Sequence, residues 1–353
     1  MSATRETNSA GFRRFDAGGA TLEQLGEAEL LRRLTSIALE AGAGAELVLP
    51  AGDDAAVWRV AAGMDVVLSQ DAIVEGEDFR RGWTDPEEVG ERALHVAISD
   101  LAGMGAQPRL GMVTLCASPA TQVEDLLAVQ RGLCGAALGA GCRVAGGDVS
   151  AIQGPLVVDV SVLGTVPPDR ALRRDRGRPG DLLVVTGRLG GAAAGLRILT
   201  EDLPATPPAR ERWLARQLRP TARIAEGLAL TDLGVACAGD LSDGLLVDVG
   251  RIIEASRCGA ELWVESLPVD AELPQVLGDR WLEAAIGGGE DFELVAAVAP
   301  ERLPAVLDGW GADLVPLQVV GRLDLGPGLR LRDREGGAAV PLPPILSRHF
   351  RQP

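Results

Sequence analysis

The sequence predicts a layered α/β (α+β) protein of two domains, on three observations. Strand-like apolar runs alternate with helical segments along the chain. A stretch rich in proline, arginine and glycine at 167–180 interrupts that alternation near the middle. An apolar content of 46% over 353 residues, with only 3% aromatic, suffices for two aliphatic cores. The expected divisions are a flexible extension over 1–20, an N-terminal domain over 21–166 and a C-terminal α/β domain over 167–353.

An amphipathic helix is expected from about Leu22 to Leu39, marked by Leu22, Leu25, Leu30, Leu34 and Ile37 and closed by Gly42 and Gly44. Val66-Val67-Leu68-Ser69 reads as a strand that delivers Asp71 at its end. Asp85, Pro86 and Glu88 have the form of a capping box for a helix reaching about Met104. Glu88, Arg92, His95 and Ser99 share a polar face of that helix. Asp100 lies instead over Val96 and Ala97, where a carboxylate needs a partner or a cation unless the last turn is open to solvent. Arg109 to Cys116 reads as a strand, Thr121 to Ala140 as a helix stopped by Gly141, Gly146-Gly147-Asp148 as a turn, and Leu156 to Val166 as a strand.

In the second half a strand from Leu182 to Thr186 leads through the glycine turn Gly187–Gly191 into a helix ending near Leu199. That turn either offers backbone amides to a phosphate or is a tight connection only. A helix over Thr221–Asp232 and a strand over Val235–Ala238 follow. Asp240-Leu241-Ser242-Asp243-Gly244 opens a helix ending near Ser256; Ser242 and Asp243 can cap it while Asp240 and Asp243 project near one point. After Gly287–Glu290 the last strand expected is Phe292–Val298.

Composition excludes several classes of chemistry. A formal charge of -16 with no basic cluster outside 167–180 argues against nucleic acid and anionic membranes as partners. No run approaches the ~20 apolar residues of a membrane helix. The N-terminal stretch has no apolar core of a signal peptide, and the five dispersed cysteines lack paired spacing, so a reducing cytoplasm is expected. Lysine and tyrosine are absent, which rules out a P-loop lysine or a Schiff base. The two histidines, His95 and His349, read as surface residues, and no G-x-S-x-G elbow occurs. Transfer to a group that needs no deprotonation remains, and a phosphate monoester is such a group.

Aspartate beside glycine recurs at the ends of apolar runs, in Gly52-Asp53-Asp54, Ser69-Gln70-Asp71, Ser99-Asp100, Gly146-Gly147-Asp148, Asp240 to Gly244 and Gly289-Glu290-Asp291. Convergent carboxylates ~4 Å apart repel by roughly 4 kcal/mol each, so they require cations between them. Hard oxygen donors select magnesium, which in proteins commonly also holds substrate phosphates.

Taken in order, these motifs, together with Val74-Glu75-Gly76, Ala97 to Ala106 and Gly288 to Leu294, resemble the thiamine-monophosphate kinase family over about 21–325. The resemblance implies the two-domain fold of the aminoimidazole-ribotide synthetase superfamily and a homodimer built through the N-terminal sheets. It implies ATP as donor, thiamine monophosphate as acceptor and several Mg2+ ions, with no general base. By position, Asp54, Ser69, Gln70, Asp71, Asp100, Asp148, Asp240 and Asp243 match the family's magnesium ligands. Gly147, Asp148, Arg174 and Ser242 match its ATP contacts, and Glu290 a substrate contact. Asp78 stands where the family has a substrate-binding histidine, Gln70 where threonine is common, and the tail near Pro344 and Ile345 lacks the family's aromatic. A carboxylate at Asp78 could meet the cationic thiazolium. The alternatives are another ATP-dependent enzyme of the superfamily and a non-catalytic nucleotide and magnesium sensor.

Overall fold

The computed structural model describes residues 19–42, 46–201 and 203–346. Residues 1–18 of the expected extension, Gly44 and His349 lie outside the described residues. The described chain forms two compact units. The first runs to Leu101 and resumes over Gln107–Thr165; the second comprises Ala102–Ala106 and the described residues from Val166 onward.

In the first unit the expected N-terminal helix is two, α1 (Leu22–Leu25) and α2 (Glu27–Glu40). Gly26 separates them at φ +82°, a left-handed conformation that ends a helix readily in glycine. The strands β1 (Leu47–Leu49) and β2 (Val57–Trp58) form a small ribbon. Then follow β3 (Asp65–Val74), α3 (Pro86–Gly103), β4 (Gln107–Ala117), α4 (Val123–Gly139), β5 (Arg143–Ala151) and β6 (Val157–Val166). The capping box forms at α3: Glu88 N donates to Asp85 Oδ1 at 3.0 Å and Asp85 N to Glu88 Oε2 at 3.3 Å.

These four long strands form one sheet in the order β3-β6-β4-β5, with β4 antiparallel to β6 and parallel to β5. Strand alternation sends Val113, Leu115, Val158, Val160 and Val162 to a buried face. On β3 and β4 the opposite side leaves Leu68 69% and Met112 49% exposed. The helices α3 and α4 cross with backbones nearly touching: a Cβ on Gly132 would lie 1.9 Å from the Glu87 carbonyl oxygen, and one on Gly90 1.9 Å from that of Val129.

Two expectations are corrected in this unit. Asp71 stands inside β3, not at its end. Gly146-Gly147-Asp148 belongs to β5, not to a turn. The glycine is needed for a different reason: a Cβ on Gly147 would sit 1.9 Å from the Val113 carbonyl oxygen of β4, so the close approach of two strands, not chain reversal, selects it.

The second unit contains β7 (Leu182–Thr186), α5 (Gly191–Glu201), α6 (Pro207–Leu218), α7 (Ile224–Asp232), β8 (Cys237–Leu241), α8 (Leu245–Ser256) and β9 (Gly259–Trp263). It continues with α9 (Leu273–Leu277), β10 (Glu293–Val298), α10 (Leu303–Gly309), β11 (Leu317–Asp324), β12 (Leu329–Arg332) and β13 (Ala339–Val340). Its sheet runs β13-β12-β9-β11-β7-β10-β8 and is antiparallel except at β12–β9. Both faces are covered. Leu183, Val185, Val295 and Ala297 enter one core, and Val184, Leu294, Ala296 and Val298 the other. That double burial is why these strands read as unbroken apolar runs.

The helix crossing yields a test. Gly132→Ala is expected to lower stability by about 1–3 kcal/mol through overpacking against the Glu87 carbonyl. Gly135→Ala on the same helix, where a Cβ meets nothing within 4 Å, is expected to be neutral or stabilising. Urea unfolding of both variants checks the contrast, and equal midpoints would refute it.

Candidate functional site

In the first unit the candidate residues divide between the two sides of the sheet. Ser69 and Asp71 share one side of β3 by the two-residue period, and the Ser69 hydroxyl donates to Asp100 Oδ2 from α3. Gln70 points the other way and donates from Nε2 to Asp159 Oδ2 at 2.6 Å. Asp159 pairs with Thr114 on β4, and Thr114 with Asp148 on β5, so Gln70, Asp159 and Asp148 belong to one row. Asp159 is a polar member of that row which the sequence reading did not single out. Asp148 Oδ2 accepts from Ser150 Oγ at 3.1 Å. Asp54 is exposed, and its N–H donates to Asp53 Oδ1 at 2.8 Å. The Asp78 carboxylate closes its own loop by accepting from Val74 N at 2.7 Å.

A cavity opens beside β5 on the buried side of this sheet. It is a small, partly open cleft. Its walls are Leu31, Leu34 and Ala38 of α2 with Val113 and Leu115 of β4, and Gly146, Gly147 and Asp148 line it as well. Gln130 of α4 also reaches it, although only 3% exposed. Sequence reasoning missed Gln130, since a lone amide on an apolar helix carries no spacing signal.

In the second unit Asp240 is buried at the end of β8, with Arg174 Nη2 3.6 Å from its Oδ1. Ser242 and Asp243 do not cap α8. Gly244 holds the N-cap position at φ +99°, and Asp248 reaches back instead, its Oδ2 accepting from Asp243 N at 3.0 Å. Arg251 bridges the Asp243 and Asp248 carboxylates. Burial, then the Asp240 charge, push the Asp248 carboxyl up to about 7. Asp248 and Arg251 join the Asp243 carboxylate in one hydrogen-bonded group, signalled in the sequence only by an acid in the first turn of a helix and a base three residues on.

The Gly187–Gly191 turn does not offer its amides to a phosphate. Gly190 N and Ala192 N donate to the buried Asp291 carboxyl at 2.6 and 3.1 Å, so the chain supplies its own hydrogen-bond acceptor to the start of α5. Beside it, Glu290 has φ +68° and Phe292 φ +48°. Glu290 N donates to the Ser242 carbonyl at 2.8 Å, and Glu290 Oε2 accepts from Gln217 Nε2 at 2.8 Å. Ser242 and Glu290 thus stand together. The tail runs alongside: Leu346 N donates to the Gly287 carbonyl at 2.8 Å.

His95 is half-buried on α3, and Arg92 and Ser99 of the same polar face are fully buried, which corrects the surface reading. Burial pushes the His95 imidazole down to about 4, so it is neutral at pH 7. Among the described residues no three His, Cys, Asp or Glu side chains stand close enough to hold a metal ion by themselves. The acids are therefore not a preassembled cage. The donors are nonetheless all hard oxygens, and Asp54 among them is exposed. Such a set suits magnesium, which takes one or two carboxylates and completes its shell with water and substrate phosphate.

The family model for AIR synthase related protein, N-terminal domain, matches residues 52–166, and that for the C-terminal domain matches 178–334. A thiamine-monophosphate kinase of Salmonella typhimurium is 38% identical over 276 residues, covering 77% of this chain and 83% of that protein. The crystal structure of thiamine-monophosphate kinase from Stenotrophomonas maltophilia superposes with a TM-score of 0.74 at 33% identity, over 86% of this chain and 96% of that one. The structure of AaThiL complexed with AMPPCP and TMP gives a TM-score of 0.71 at 28% identity, over 94% and 99%.

Asp291 generates a pH test. Burial pushes its carboxyl up to about 7 from 3.8, against the pull of the two backbone N–H donors. The folded state therefore holds this proton more tightly than the unfolded chain, and the stability it contributes is lost as pH rises through 7. Asp291→Asn cannot ionise, so thermal unfolding at pH 5 and pH 8 is expected to show a smaller difference in the variant than in the parent. Equal differences would refute the assignment.

Proposed function

The chain belongs to the thiamine-monophosphate kinase family, and we propose that it transfers the terminal phosphoryl group of ATP to thiamine monophosphate, giving thiamine diphosphate and ADP. The observation that carries this reading is the shared extent: the likeness to the AaThiL complex spans 94% of this chain and 99% of that one. The acceptor phosphate is already anionic at neutral pH, so attack needs no base. A neutral, half-buried His95 is consistent with that economy.

In this reading Asp54, Ser69, Gln70, Asp71, Asp100 and Asp148 of the first unit, with Asp240 and Asp243 of the second, hold magnesium. Bound there, the ions neutralise phosphate charge and align donor with acceptor. Gly147 brings bare backbone close to the nucleotide, and Arg174 and Ser242 contact its phosphates. Glu290 receives the acceptor, steadied by Gln217. Asp78, which accepts from Val74 N, meets the cationic thiazolium. The chain works in the cytoplasm. It acts as a homodimer through the outer face of the four-stranded sheet, where Leu68 and Met112 present an apolar surface that a second copy covers.

Three outcomes follow. A coupled ADP assay is expected to give turnover that depends on thiamine monophosphate and not on free thiamine; turnover independent of the acceptor would remove the substrate assignment. Asp71→Asn, Asp100→Asn and Asp148→Asn are each expected to lower kcat by more than about tenfold with the fold intact, and near-normal rates in all three at saturating magnesium would exclude the metal assignment. Leu68→Asp is expected to convert the dimer to monomer in light scattering, and an unchanged mass would place the interface elsewhere.

A further inference from the structure

One hydroxyl grips the turn that carries Arg174. Ser256, the last residue of α8, donates from Oγ to the Arg174 carbonyl at 2.7 Å and accepts from Gly177 N at 3.0 Å. These two groups are the carbonyl at i and the N–H at i+3 of the 3₁₀ turn Arg174–Arg176, the pair that such a turn joins directly. The hydroxyl is inserted between them and holds the turn from outside. Gly177 permits the approach, because a Cβ there would lie 2.9 Å from Ser256 Oγ and 2.6 Å from Leu323 Cδ1. A second donor meets the same carbonyl: Cys237 Sγ of β8 stands 3.8 Å from it, and burial pushes that thiol up to about 12, so it keeps its proton. The residue before the turn is tied as well, since Arg173 N donates to the Ala236 carbonyl at 2.9 Å. From this grip the Arg174 side chain runs over β8 at Gly239, where a Cβ would lie 3.1 Å from its Nε, and ends beside Asp240 with 40% of the side chain exposed.

We infer that Ser256 is a positioning residue for nucleotide binding: by bridging the Arg174 carbonyl and Gly177 N it fixes the turn in the setting that lays the Arg174 guanidinium over Gly239 toward Asp240. This rests on the proposed kinase reading, in which Arg174 contacts the phosphates of ATP. Without the hydroxyl two routes open. Gly177 N can donate straight to the Arg174 carbonyl, which tightens the turn, or both groups can turn to water, which loosens it. Either way the base of a long side chain shifts, and the rotamer freedom of the arginine is lost on binding instead of on folding. The Asp240 carboxylate does not hold the guanidinium by itself, because an ion pair at 3.6 Å to a side chain this exposed is weak.

The test is a double-mutant cycle on the Kd of a non-hydrolysable ATP analogue, measured by calorimetry on the full chain with magnesium and no acceptor. The four proteins are the parent, Ser256→Ala, Arg174→Met and the double variant. Ser256→Ala is expected to weaken binding about threefold to tenfold. In the Arg174→Met background the same change is expected to cost less than about twofold. In turnover the loss falls on KM for ATP and not on KM for thiamine monophosphate. Ser256→Cys, which keeps a weaker donor, is expected to lie between the parent and Ser256→Ala, and it closes the same cycle if the alanine variant unfolds. Equal losses in the two backgrounds overturn the inference, since they mark a serine that serves stability alone. An unchanged Kd in Ser256→Ala overturns it as well. Coupling in the cycle with no acceptor-dependent turnover sinks the kinase proposal alone, and normal turnover with additive losses sinks this one alone.

Discussion

Glu293 is the point on which the second unit closes. Its carboxylate has no exposure, yet every lone pair is used: Arg216 Nη2 reaches Oε1 at 2.6 Å, Arg223 binds both oxygens at 2.7 Å, and the Thr186 hydroxyl donates to Oε2 at 2.8 Å. The residues it gathers come from β7, α6 and the start of α7, while Glu293 itself begins β10. Removing one member of such a buried set strands the others and costs about 3–5 kcal/mol. The set also dictates a neighbour, because a Cβ on Gly187 would lie 2.2 Å from Glu293 Oε1. Three residues before it, Glu290 extends from a backbone held by two anchors that follow it, Asp291 at the start of α5 and Glu293 in the sheet. A side chain proposed to meet substrate is thereby fixed by packing at its base and by Gln217 at its tip.

The acids elsewhere follow a second rule: many already have a local partner. Ser69 serves Asp100, Ser150 serves Asp148, and Arg251 serves Asp243 and Asp248. Each partner occupies part of a carboxylate and offsets some of its charge within the folded chain. This explains how a chain so acidic keeps its site folded before any ligand binds. The same arrangement accounts for the absence of a three-acid cluster among the described residues without removing the reason for the acids.

Local chemistry was legible in the sequence where a motif satisfies itself locally. The Asp85–Glu88 capping box, the helix stopped at Gly141 and the apolar strands of the second unit all appear as the residues suggest. Features decided by distant neighbours were not legible. Gly146-Gly147 looked like a turn because glycine's permissiveness is visible in sequence, whereas the carbonyl of Val113 that demands it is not. The Gly187–Gly191 turn left a phosphate cradle and a tight connection both open because Asp291, some hundred residues later, is what fills it. The polar face of α3 looked solvated because periodicity reports that a face exists, not what covers it. The short strand β9 escaped notice because Glu261, buried and bonded to Arg332, interrupts its apolar run.

Bare backbone at Gly147 has a consequence for anything made to occupy the adjoining cavity. With the Val113 carbonyl 1.9 Å from where a Cβ would fall, every other amino acid there would force two paired strands apart. An inhibitor that rests its weight on that stretch would meet a surface that single codon changes cannot remodel without parting the two strands. Escape would have to arise at the aliphatic walls, where Leu31 and Leu34 can be exchanged more cheaply, and compounds that lean least on those walls would be the slowest to fail.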